Sequence, residues 1–101
     1  MNESYDFLEE LEDFLAGTFH QDISSPEEAL DEFIEEASKE CLLFTIKYCE
    51  EFLSSELTEQ EKENIIQNNA DIYFPAIELT PLQWLNQLVK KITEDVKIRL
   101  F

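Results

Sequence analysis

Phe7, Leu8, Leu11, Phe14 and Leu15 recur at i, i+1, i+4, i+7 and i+8, with Glu9, Glu10, Glu12 and Asp13 between them. That spacing gathers apolar side chains onto one face of an α-helix. Gly17, the only glycine, is free to take positive φ, which predicts it as the residue just past the helix end. A short connection covers residues 18–24. Ser25-Pro26-Glu27-Glu28 then supplies an N-cap hydroxyl, a proline in the first turn and a capping-box glutamate, a strong helix start. Ala29, Leu30, Phe33, Ile34 and Ala37 form the inward stripe of this second helix, and Glu28, Asp31, Glu32, Glu35 and Glu36 face outward.

A third helix over about residues 39–54 carries Leu42, Leu43, Ile46, Cys49, Phe52 and Leu53 at helical spacing and closes at Ser54-Ser55. Thr58-Glu59-Gln60-Glu61 is a capping box opening a shorter helix, which points Ile65 and Ile66 inward and frays at Asn68-Asn69. Pro75 disfavours helix at Phe74, so residues 71–79 read as a loop packed by its own aromatics. Thr80-Pro81-Leu82-Gln83 repeats the cap-plus-proline signal, and Leu82, Leu85, Leu88, Val89, Ile92 and Val96 carry the final helix. No run alternates with period two for long enough to argue a sheet. The expected fold is mainly α: one small domain over residues 1–101, a compact bundle of about five helices with short loops.

Composition adds a polarity to this picture. The 101 residues hold 24 Asp and Glu against 7 Lys and Arg, a formal net charge of −17, yet 44% are hydrophobic, enough for a core. Residues 1–63 carry 20 acids and three bases, and residues 64–101 carry four of each, so the whole excess sits in the first part. Such a surface repels phosphate backbones and anionic lipid heads, which argues against nucleic-acid and membrane binding and for a basic partner. The longest strictly apolar run, Cys41 to Phe44, is far short of the ~18 residues of a membrane span, and the start lacks a secretory signal, so a cytoplasmic location is expected. Cys41 and Cys49 lie eight residues apart on one helix. Their Cα atoms would be ~12 Å apart, beyond disulfide reach, so both are expected to be free thiols.

Candidate chemistry is sparse. His20 is the only histidine, so no histidine-based dyad can be argued, and no glycine-rich phosphate loop exists. No metal site is expected, because the single glycine fits no calcium loop and no His or Cys cluster is present. The chain is not expected to be an enzyme or to need a cofactor. The Asp-Ser-Leu-like motif that bears the arm of a carrier protein is lacking, and the Ser25 hydroxyl is better explained as a helix cap. What remains is binding. The outward row Glu28, Asp31, Glu32, Glu35 and Glu36, flanked by Asp13 and Asp22, forms the densest acidic patch, either a partner-facing surface or a solvated helix face. Tyr73 and Phe74 stand in the irregular segment as interface anchors or core plugs. Trp84 is expected to pack in the core or at its edge, and His20 either pins the loop or contacts a partner.

The stretch Leu15-Ala16-Gly17-Thr18-Phe19-His20-Gln21-Asp22, followed by Ser25-Pro26-Glu27-Glu28-Ala29-Leu30, resembles the Phe-His-Gln-Asp and Ser-Pro-Glu-Glu-Ala signature of a family of bacterial contact-dependent growth inhibition immunity proteins. Tyr73 and Trp84-Leu85 agree with its later landmarks. Family members often place a glycine shortly before the late aromatic, where this chain has Asn69-Ala70. The resemblance implies an antidote that binds the toxic C-terminal domain delivered by a sibling cell, as a 1:1 heterodimer. Such toxins are frequently nucleases, with a ribonuclease favoured here, and a basic nuclease cleft is what an acidic surface could occupy. The residues on which the resemblance rests, Phe19, His20, Gln21, Asp22, Ser25, Pro26 and Trp84, are then structural or partner-binding. The alternative is an acidic nucleic-acid mimic that inhibits a basic DNA- or RNA-binding protein.

Overall fold

Short polar side chains open the helices where the sequence places them. The computed structural model describes residues 5–20 and 24–99, and within them every regular element is helical: α1 (Phe7–Thr18), α2 (Pro26–Glu36), α3 (Lys39–Leu53), α4 (Glu59–Asn69), α5 (Phe74–Ile77) and α6 (Pro81–Arg99). The first backbone N–H groups of a helix have no partner within it. Here they donate to Asp6 Oδ1, Ser25 Oγ and Ser38 Oγ at 3.0–3.1 Å. Thr58 with Glu61 and Thr80 with Gln83 close reciprocal capping boxes, each made of two bonds of 2.9–3.1 Å. A cap of this kind is worth ~1 kcal/mol, which is why local sequence fixes these boundaries.

Four details differ from the sequence-based expectation. Gly17 lies inside α1 with no positive φ, and the helix is capped by Phe19, whose N–H donates to Leu15 O at 2.9 Å. Residues 74–77 form a single helical turn, so the described bundle has six helices. Pro75 falls in the first turn of α5, where a proline's missing N–H costs no intrahelical bond. In α3 the buried line runs through Leu42, Thr45, Tyr48, Cys49 and Phe52, while Leu43 is 47% exposed. Thr45 tolerates burial because its hydroxyl donates to Cys41 O at 2.8 Å. α4 runs on through Asn69, whose side chain donates to Ile65 O at 2.8 Å, and Ala70 caps it with φ −97°, so no glycine is needed before the late aromatic.

α3 is the central helix and packs chiefly on α6 and α1, while α4 bridges α1 and α6. The smallest dimension is 22 Å, two helix layers of ~10 Å each. Leu11, Leu15, Phe19, Leu42, Phe52, Ile66, Leu85 and Ile92 are fully buried at the centre. A chain of edge-on and tilted rings runs through this core from Phe33 to Phe14 (4.9 Å between centroids), Phe19 (5.8 Å), Trp84 (4.8 Å) and Phe74 (5.6 Å). Such ring pairs add ~0.5–1.5 kcal/mol beyond their burial. The carbonyl of Phe19 accepts a hydrogen bond from Asp71 N–H at 2.7 Å, tying the end of α1 to the α4–α5 connection. Both cysteines are free thiols, Cys41 exposed and Cys49 buried.

α2 stands apart from this arrangement. It touches only α1 and α6 at any length and buries just Ala29, Leu30 and Ile34. Polar struts from α6 complete its attachment. Lys91 pairs with Asp31, and the Arg99 guanidinium donates to Ile34 O and, at 2.9 Å, to Ala37 O, both at the C-terminal end of α2. Nε of Arg99 is held by Asp95 at 2.9 Å.

Candidate functional site

Four residues of helix advance ~6 Å and return to nearly the same angular position. Glu28, Glu32 and Glu36 therefore line one flank of α2, and Asp31 and Glu35 the other. The structure divides the outward row in this way, and the two flanks border different grooves. The first groove, about 300 Å³, lies between the end of α1 and α2, lined by Gly17, Thr18, His20 and Ser24 on one side and by Glu28, Ala29, Glu32, Phe33 and Glu36 on the other. No lysine or arginine borders it. Among the described residues none of its three glutamates is ion-paired. Like charges at i and i+4 destabilise a helix by ~0.2–0.5 kcal/mol per pair, so the fold carries this row at a small cost. A cationic partner would relieve it.

The second groove, on the α6 side, contains Asp31 and Glu35 together with Glu94, Asp95, Lys91 and Arg99. Here the fold supplies its own cations, and Asp31 is already engaged by Lys91. The two flanks of α2 thus differ: two cations stand among the four acids of one, and among the described residues no lysine or arginine borders the three glutamates of the other.

A third groove, about 390 Å³, opens beside the first turn of α2, where Pro26, Leu30, Ile77, Leu79, Trp84 and Leu88 present apolar surface among Ser25, Glu27, Gln87 and Lys91. It draws on α2, α5 and its trailing residues, and α6, and no periodicity within a single helix announces it. Glu78, the C-cap of α5 and the only non-glycine residue with positive φ among those described (φ 59°, ψ 33°), stands between Ile77 and Leu79 at the groove's edge. A non-glycine residue in this left-handed region costs ~1–2 kcal/mol.

The residues expected to matter separate into distinct groups. Glu28, Glu32 and Glu36 meet His20 at the first groove, and Asp31 and Glu35 belong to the second. Asp13 is exposed on α1 and lines none of these grooves. Tyr73 is 75% exposed, whereas Phe74 is 4% exposed and packs edge-on against Trp84, so of the two roles weighed Phe74 is a core plug and not an exposed anchor. Phe19 and Trp84 are core residues, and Ser25 caps α2 with Pro26 in its first turn. Gln21 and Asp22 lie outside the described residues. Among the described residues, no group of three or more His, Cys, Asp and Glu side chains could hold a metal ion, and no helix is long and apolar enough to cross a membrane.

Burial pushes the Cys49 thiol up to about 12, with the neighbouring Glu50 charge acting in the same direction. The Tyr48 phenol is also raised, chiefly by burial. Both groups are core fixtures away from the acidic flank.

A family model described as CdiI immunity protein matches residues 7–92, which take in α1 through most of α6. No curated protein and no solved structure matches the chain.

Proposed function

The chain belongs to the CdiI immunity protein family, and from that premise we propose that it neutralises its cognate contact-dependent growth inhibition toxin by presenting the acidic flank of α2 to a basic cleft. The observation that carries this reading is the row Glu28, Glu32 and Glu36, set along one groove that no lysine or arginine borders among the described residues. Enzymes that cleave nucleic acids hold phosphate in basic sites, so a nuclease, with a ribonuclease favoured, is the toxin class this flank fits. Binding is 1:1 and takes place in the cytoplasm of the protected cell. Exposed Tyr73, two residues from the Asp71 tie to Phe19, offers a rigid amphipathic side chain suited to an interface. A standard interface takes ~800 Å² from each partner, a small share of the 6332 Å² surface.

The test is association kinetics with the cognate toxin domain. Glu28→Lys with Glu32→Lys should slow association at least tenfold and flatten its dependence on salt, because steering follows the local field. The same variant should restore toxin activity at ratios where the parent protein abolishes it. Glu59→Lys with Glu63→Lys, on α4, should change neither. If the α4 pair weakens binding and the α2 pair does not, the toxin-facing surface lies elsewhere.

A further inference from the structure

The acidic flank explains how a basic partner is drawn in, but exposed charge contributes little to how long a complex lasts. Lifetime is set by a few apolar or aromatic side chains buried in pockets. We infer that the groove formed by Pro26, Leu30, Ile77, Leu79 and Trp84 is an anchor pocket that receives one apolar side chain of the toxin domain. This inference rests on the proposed function.

Three observations support it. The pocket and the acidic groove lie on either side of the same first turns of α2: Ser25, Pro26, Glu27 and Leu30 border one, and Ser24, Glu28 and Ala29 the other. A single partner surface laid across this part of the helix reaches both. Pro26, Leu30, Ile77, Leu79, Trp84 and Leu88 give the pocket six apolar lining residues, more than either of the other two grooves has. Its walls also come at a conformational cost to the fold, because Ile77 and Leu79 flank Glu78, which holds φ 59° without being glycine. Glu78 is the left-handed C-cap of α5, and the chain reversal it makes sets Ile77 and Leu79 together on one wall of the pocket.

Charge specifies the occupant. Glu27 stands at the rim, and the unpaired glutamates lie across the helix, while Lys91 at the far rim is already turned to Asp31. An apolar residue set among lysines or arginines matches this arrangement. An apolar residue set among acids would meet Glu27 and the glutamate row with like charge.

The experiment uses the full chain and the cognate toxin domain. Ile77→Ala with Leu79→Ala should leave the association rate and its salt dependence unchanged and raise the dissociation rate at least tenfold. A smaller increase overturns the inference. Because both side chains are half-buried, the variant is first checked for native far-UV and tryptophan spectra. A second measurement needs no variant: in the parent protein, the methyl resonances of Ile77 and Leu79 should shift on saturation with toxin. If they stay fixed while the exposed Leu43 methyls move, the anchor lies on α3 and the pocket assignment fails. The Glu28/Glu32 reversal separates the two readings. Slowed association there with unchanged dissociation in the pocket variant removes only the pocket, whereas no effect from either variant removes the acidic docking surface as well.

Discussion

Replacing Arg99 with methionine keeps most of the aliphatic stem and deletes the guanidinium that closes α2. Three contacts vanish: the bonds to Ile34 O and Ala37 O and the pair with Asp95. The two carbonyls belong to the end of α2, where helix oxygens have no intrahelical partner. A hydrogen bond to a charged donor is worth ~1.5–3 kcal/mol when buried. Here the side chain is 30% exposed, so ~1 kcal/mol for the half-buried Ile34 bond and ~0.5 for the exposed Ala37 bond are reasonable. Removing a cation from a helix C-terminus costs a further ~0.3–1 kcal/mol, and the Asp95 pair adds ~0.3. The expected loss is about 2 kcal/mol, read by urea unfolding followed through Trp84 fluorescence. Arg99→Lys separates geometry from charge. A lysine ammonium retains the charge but not the planar fork that spans two carbonyls and a carboxylate, so it should recover no more than about half. A methionine variant within ~0.5 kcal/mol of the parent, or a lysine variant equal to it, would refute the account. The family match ends at residue 92, so likeness to relatives does not point to Arg99.

Gly17→Ala should stabilise the fold by ~0.4–1 kcal/mol in the same assay, since Gly17 has no positive φ and a Cβ there meets nothing within 4 Å; destabilisation would restore the left-handed cap read from the sequence. Phe19→Ala should cost ~4 kcal/mol, a large share of the ~5–15 kcal/mol of a typical domain, because it empties a fully buried site between Phe14 and Trp84; a loss below ~2 would show that the ring chain can collapse around the gap. Thiol titration should find one reactive cysteine in the native protein, Cys41, and two after denaturation. With the folded Cys49 thiol held at about 12 and its ordinary value at 9.0, the unfolded chain gives up that proton first as pH rises. Stability is therefore full below pH ~9 and falls above it, at up to ~1.4 kcal/mol per pH unit, and Cys49→Ala should flatten the decline between pH 9 and 10.

The legible parts of this fold are those decided by neighbours in sequence. Ser25, Thr58 and Thr80 mark helix starts because the groups they satisfy lie three residues on. The regular apolar stripe of α6 marks its core face because that face meets α3 along its length. Where contacts between elements decide, pattern reading fails in identifiable ways. Gly17 suggested a helix end, yet α1 continues until the buried Phe19 fixes the exit of the chain. Thr45 and Tyr48 add no apolar signal to the stripe of α3 yet are buried, the Thr45 hydroxyl being satisfied within its own helix. The acidic row of α2 was visible as a row. Its division into a bare flank and an offset flank depends on Lys91 and Arg99, 60 or more positions away from the groups they meet.

The light attachment of α2 has a consequence for how such a protein can change over generations. Of its eleven residues three are buried, Phe33 adds a half-buried ring against Phe14, and the polar part of its hold on the bundle runs through Asp31 and two backbone oxygens. Backbone oxygens are present whatever the side chain. Most positions of α2 can therefore be rewritten without disturbing the packing of α1, α3, α4 and α6, since exposed substitutions usually move stability by less than ~0.5 kcal/mol. An antidote has to keep pace with a toxin whose surface drifts. If α2 is the docking helix proposed above, its main-chain struts leave the exposed positions free to diversify while Ala29, Leu30, Phe33 and Ile34 stay fixed in the packing.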